Sequence, residues 1–248
     1  MSEIDRRRFI QACLGAGLMS MGADGLAAPG VAPDGPFQPF KRVRLVDARE
    51  GTPMRVTDLQ VGTDYVFFYP FHATPCLLIN LGRPTAQGVE LTTEKGEAYR
   101  WPGGVGPQRS VVSFSAICAH RMAHPTSQVT FIGYRPDVDR FMAKDRTVHE
   151  KASVIHCCSE NSVYDPAEGC RVLGGPAPQP LAAIGLDVDA DQGLFASGVF
   201  GPTQFERFFD AYGPRLELEF GPDQYRRPVE DVATVLPLAE FTRQRVRC

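Results

Sequence analysis

Two short segments concentrate the side chains that can do chemistry. The first runs Ile117-Cys118-Ala119-His120-Arg121-Met122-Ala123-His124-Pro125. The second runs Ile155-His156-Cys157-Cys158-Ser159-Glu160-Asn161-Ser162-Val163-Tyr164-Asp165. Thiolates and imidazoles gathered in this way are ligands for transition metals. The C-x-H spacing of Cys118 and His120 lets both side chains leave one tight loop on the same side.

Together with Gly174-Gly175-Pro176-Ala177-Pro178, these segments resemble the Rieske iron–sulfur family. There a C-x-H loop and a C-x-x-H loop each supply one thiolate and one imidazole. Two thiolates hold one ferric iron. Two neutral histidines on the other iron remove negative charge, and the potential rises to roughly −150 to +300 mV, against about −400 mV for plant-type all-cysteine clusters. In the family an aromatic residue followed by Asp or Asn stands seven residues after the second-loop cysteine, and Cys157 to Tyr164 fits. Gly175 to Pro178 is similar to the loop that shields the cluster in the quinol-oxidising branch. The resemblance covers about Asp58 to Asp189. His120 and Cys157 enclose 36 residues, more than the usual spacer, and the excess reads as an inserted loop around Asp137 to Lys151.

The resemblance implies a [2Fe–2S] cluster on Cys118, His120, Cys157 and, by register from Cys157, Glu160. Glu160 stands where the family has a histidine. A carboxylate on iron adds negative charge, stabilises the oxidised cluster and pulls the potential down. The disulfide of quinol-oxidising members is absent too, because its two positions are Ala123 and Ser159. His124 and His156 are the other candidates for the fourth ligand. His156 adjoins Cys157 on an extended segment, where neighbouring side chains point to opposite sides. The resemblance also sends the Tyr164 hydroxyl toward the cluster, and the plain alternative is a core aromatic at a strand start.

The remaining cysteines read as structural. Cys158, beside Cys157, has a replacement ligand and a vicinal disulfide as alternatives and is expected to be a small buried thiol. Cys170 follows Gly169 in a turn and has Cys76 or Cys158 as candidate partners in an oxidising compartment, a pairing that spacing alone does not settle. Cys248 is expected to be an exposed free thiol.

The elements that must position these residues are mostly strands. Asp64–Pro70 and Pro75–Leu81 read as two apolar strands around a short turn, followed by strands at Ser110–Ile117, Gln128–Tyr134 and Ala152–Ile155. Asp137–Lys151 is polar and reads as a loop with some helix. Pro180–Val188 and Gly193–Val199 close a small sheet. Phe205, Phe208, Phe209 and Tyr212 recur at i, i+3, i+4 and i+7, a helical stripe. The chain holds 24 Gly and 21 Pro, which favours short strands and turns over long helices. The fold class expected is mainly β: a Rieske-like antiparallel sandwich or barrel with a small cluster-binding subdomain and a C-terminal extension.

The organisation expected is a signal peptide over 1–27, a linker over 28–42, the Rieske-like domain over 43–200 with cluster loops at 117–125 and 155–178, and the extension over 201–248. Arg6-Arg7-Arg8-Phe9-Ile10, an apolar stretch to Ala23 and small residues to Ala27 make a twin-arginine signal, which implies export of a folded protein to the periplasm. Left uncut, that segment would associate the protein with the membrane. The net charge of −3, with no basic run beyond Arg6–Arg8, gives no nucleic-acid footprint.

The function expected is electron transfer within a redox complex, with a cytochrome, a quinol-oxidising subunit or a catalytic subunit as partner and no catalysis by this chain alone. The rival is a cluster-free Rieske-like module for structure or docking. An oxygenase ferredoxin component fits the missing disulfide but not the export signal. An oxygenase α-subunit fits less well still, since no His-His-carboxylate set for mononuclear iron follows residue 189 and the last of the five histidines is His156.

Overall fold

Apolar alternation on both faces of a strand demands partners on both sides, and the central strands here have them. The computed structural model describes residues 37–201 and 203–248. The expected signal and most of the linker lie outside the described residues.

In chain order the strands are β1 (Phe37–Asp47), β2 (Asp64–Phe68), β3 (Pro75–Asn80), the hairpin β4 (Val89–Thr92) and β5 (Ala98–Trp101), and β6 (Val111–Ser115). Then come β7 (Val129–Thr130), β8 (Ile132–Arg135), the hairpin β9 (Asp139–Met142) and β10 (Val148–Lys151), β11 (Val154–Cys157), β12 (Ser162–Asp165) and β13 (Arg171–Gly174). The chain returns through β14 (Ala183–Val188), β15 (Leu194–Phe200), the helix α1 (Thr203–Phe220), β16 (Val232–Pro237), the short helix α2 (Leu238–Phe241) and β17 (Gln244–Arg245).

The protein is mainly β, as expected, and its largest sheet is a closed barrel in the order β1-β15-β14-β6-β3-β2-β16. Closure depends on β16, which pairs parallel to β1 and antiparallel to β2. A barrel strand therefore comes from the stretch after residue 201. A second, four-stranded sheet, β13-β12-β11-β8, carries the second cysteine segment.

The strand alternation sorts the core into two clusters. Val43, Leu45, Tyr65, Phe67, Leu78, Val111, Ile184, Ala196 and Val235 represent all seven barrel strands in one of them, which meets Phe205, Phe208 and Phe209 of α1. The other takes the alternate register, including Val66, Leu77, Ile79 and Phe114. It adds the β4–β5 hairpin through Leu91, Tyr99 and Trp101, and the small sheet through Ile132, Ile155 and Tyr164. Cys118 and Cys157 both lie in this second cluster, between barrel and small sheet.

One element departs from the sequence reading. Asp137–Lys151 holds no helix. Asp139–Met142 pairs with Val148–Lys151 as an antiparallel hairpin. Only Phe141 of these eight residues is buried, so the apolar alternation that marks a strand is missing.

Candidate metal centre

Two tight turns face each other across the second cluster. The first follows β6. Cys118 N–H donates to the Ala123 carbonyl at 2.8 Å, and Met122 N–H returns to the Cys118 carbonyl at 3.0 Å. Met122 takes a positive φ of 57° to close the turn. The second joins β11 to β12, with Asn161 at a positive φ of 57°. Cys158 N–H donates to the Phe131 carbonyl at 2.7 Å and fixes this turn against the segment leading into β8.

The turns treat their cysteines alike. Backbone N–H groups of His120 and Arg121 favour a negative Cys118 sulfur. Those of Ser159 and Glu160 do the same for Cys157. In each loop these groups lie two and three residues after the cysteine. The two cysteines also act on each other's ionisation. Tyr164, fully buried on β12, places its hydroxyl 3.4 Å from the Cys118 sulfur and accepts from Ala119 N–H at 3.3 Å. The neighbouring Cys157, helped by Tyr164 and the backbone N–H groups, holds Cys118 below an ordinary thiol, at about 6. The same neighbour and burial push Cys157 well up. Backbone N–H groups and the Tyr164 hydroxyl on the Cys118 side thus favour negative sulfur.

The other two expected ligands also meet. His120 Nδ1 contacts one carboxylate oxygen of Glu160, and Arg121 Nε contacts the other. The expected residues thus fall into two pairs, Cys118 with Cys157 and His120 with Glu160. A two-iron group, with sulfur on one iron and nitrogen or oxygen on the other, needs that division.

A buried polar atom tests the fit. Ser162 is fully buried, and its hydroxyl has no hydrogen-bond partner among the described residues. It pairs in register with Cys157 across β11 and β12, so both side chains stand on the same face. An unsatisfied hydroxyl is costly unless something accepts from it, and sulfur held by Cys157 would. Cys118, Cys157 and His120 fit a [2Fe–2S] group directly. Glu160 fits as the fourth donor by releasing His120.

Gly175 belongs to the segment expected to shield the site. It has a φ of +78°, and a Cβ there would sit 2.2 Å from the Asn161 carbonyl oxygen. Only glycine lets this segment lie against the second turn.

The fourth-ligand alternatives lie elsewhere. His124 packs edge-on against Phe208 and Tyr212, with Nδ1 2.9 Å from the Met122 carbonyl. His156 points to the other side of β11, as alternation requires, and its Nδ1 is 2.7 Å from Asp139.

Two expectations about cysteines are corrected. Cys158 and Cys248 are joined in a disulfide, so neither is a free thiol. The pairing spans 90 residues and depends on β17 docking beside β7. Cys76 and Cys170 are free and buried, so neither pairing considered for Cys170 forms.

Residues of α1 complete the site without a motif to announce them. Gln204 is fully buried; its side-chain oxygen accepts from Ala182 N–H at 2.9 Å and its amide donates to the Ile117 carbonyl. This ties the residue before Cys118 to the entrance of β14. Tyr212 donates to the Arg121 carbonyl at 3.4 Å. The aromatic stripe was legible as a helix, but its role as a clamp on the first turn was not.

No protein-family model matches the chain. Among solved structures, the soluble domain of the Rieske protein II (soxF) from Sulfolobus acidocaldarius matches with a TM-score of 0.41 and 23% identity, covering 64% of this chain and 78% of that one.

Proposed function

We propose that the protein is a Rieske-type [2Fe–2S] electron-transfer module, exported to the periplasm by its twin-arginine signal and working as a subunit of a redox complex. The observation that carries the reading is the matched pair of turns. Each carries one cysteine whose ionisation the other turn's cysteine shifts and whose own following backbone N–H groups favour negative sulfur; the Tyr164 hydroxyl lies 3.4 Å from the Cys118 sulfur, and Ser162 pairs in register with Cys157. Hydrogen bonds to sulfur are a recognised lever on the potential of such clusters. When bound, the cluster takes up and passes on one electron.

The chain's own residues hold and insulate. Cys118 and Cys157 would hold one iron, and His120 and Glu160 the other. Burial of both cysteines keeps water from the sulfur side. His120 is on the open side, with a third of its side chain exposed, and is the natural edge for a redox partner.

A second reading is favoured by one contact. Glu160 spends both carboxylate oxygens on His120 and Arg121, an arrangement that can stand in for the metal side of the site in a cluster-free docking module.

Iron and acid-labile sulfide analysis, with EPR of the dithionite-reduced protein, separates the two. Two irons per chain support electron transfer, and the average g value then reports whether imidazole or carboxylate completes the site. No iron, under conditions that load a control Rieske protein, leaves the docking module.

A further inference from the structure

On the opposite side of β11 lies a second cluster of metal-ligating groups, independent of Cys118 and Cys157. His156 is 3% exposed. Its Nδ1 lies 2.7 Å from Asp139 Oδ2, which orients Nδ1–H toward the carboxylate and leaves the Nε2 lone pair free. Nε2 is 3.4 Å from the Cys248 sulfur, and Cys248 is bonded to Cys158. One donor atom from each of His156, Cys158 and Cys248 lies within 4.8 Å of the others.

A histidine whose second nitrogen is fixed by a carboxylate is the outer arrangement that zinc-binding histidines use. Arg135 Nη2 lies 3.5 Å from the Cys158 sulfur, a cation placed to favour its thiolate, and it also holds the Val246 carbonyl at 2.9 Å. We propose that Cys158, Cys248 and His156 form a redox-gated site for zinc, closed while the disulfide stands and open once it is reduced.

The chemistry balances. An external dithiol attacks the disulfide and gives up two electrons and two protons. It becomes a disulfide itself and leaves Cys158 and Cys248 as thiols. Zinc then displaces both thiol protons to solvent and binds two thiolates and Nε2, with water as the fourth ligand. Zn–S and Zn–N bonds of about 2.3 and 2.0–2.1 Å require the sulfurs of a tetrahedral site to stand about 3.7 Å apart. Cys248 is exposed and can supply that movement. Backbone bonds from Gln244 N–H to Gln128 and from Val246 N–H to Thr130 keep the preceding residues in place.

The test is a zinc titration of the full chain against a chromophoric chelator, without oxygen. The protein is used as isolated and after reduction by a phosphine, which with one water becomes its oxide as the disulfide becomes two thiols. Reduced protein is expected to bind one more equivalent than oxidised protein. Reduced Cys248→Ser loses that equivalent, and reduced Asp139→Asn binds it about 10–100-fold more weakly. Any zinc taken by Cys118 and Cys157 is common to all samples and cancels. Equal stoichiometry and affinity in reduced wild type and reduced Cys248→Ser would overturn the proposal. So would no difference between oxidised and reduced wild type.

Discussion

Ser162 stands opposite Cys157 in the β11–β12 register, its hydroxyl buried and without a partner among the described residues. Few changes separate the two readings of the site as cleanly as Ser162→Ala. If a cluster fills the site, the hydroxyl donates to its sulfur and stabilises the reduced, more negative state. Removing it then lowers the potential with the iron retained, which protein-film voltammetry would show. If the site is cluster-free, the substitution removes an unsatisfied group and raises stability, by about 1 kcal/mol, in a denaturant titration.

Tyr164→Phe works on the first sulfur in the same direction but costs stability in either reading. The hydroxyl donates toward Cys118 and accepts from Ala119 N–H. Its loss strands a buried N–H, at about 1–3 kcal/mol, and lowers the potential of a bound cluster. A potential unchanged in both Tyr164→Phe and Ser162→Ala would mean that neither hydroxyl touches a redox centre.

Gln204→Leu should act at a distance from any metal. It unpairs two buried groups at once, Ala182 N–H and the Ile117 carbonyl, for a loss of about 2–5 kcal/mol. The first turn loses its tether to β14, so iron would also leave faster on incubation with a chelator. A variant as stable as wild type would show that the turn is held by its own backbone bonds.

How much of this was legible in the sequence follows from periodicity and reach. The β2 and β3 strands and the Phe205–Tyr212 stripe announce themselves because their apolar spacing matches a strand or a helix. The candidate residues Cys118, His120, Cys157 and Glu160 stand out by motif. Gln204 does not, because a lone glutamine carries no pattern and its partners lie 22 and 87 residues away. The Cys158–Cys248 bond was hidden by its 90-residue separation. The β9–β10 hairpin was hidden because almost none of it is buried, so nothing selects apolar residues along it.

His124 predicts a pH dependence of stability. Burial among Phe208 and Tyr212 lowers its pKa, aided by Arg215 and opposed by the Met122 carbonyl. With the folded value below the unfolded value of about 6.5, the unfolded chain binds more protons between the two, so stability is lost as the pH falls through that window. His72 is shifted the same way by burial and by Arg227. In His124→Phe, which keeps an aromatic ring against α1, unfolding free energy should fall less steeply between about pH 7 and pH 5 than in wild type. Parallel curves would show that His124 is protonated as easily folded as unfolded.

Glu160→His addresses the proposed fourth ligand itself. The substitution removes a carboxylate bound to both His120 and Arg121 and offers an imidazole at the same register. If wild type carries a cluster through Glu160, the variant keeps two irons, loses one negative charge near the iron and rises in potential toward the roughly −150 to +300 mV of two-histidine clusters. If iron appears in the variant and not in wild type, Glu160 is what keeps the cluster out, and the natural protein is the docking module. If neither protein holds iron, the turns have lost more than one ligand's worth of fitness for metal, and the contacts of Glu160 with His120 and Arg121 are the function of that residue.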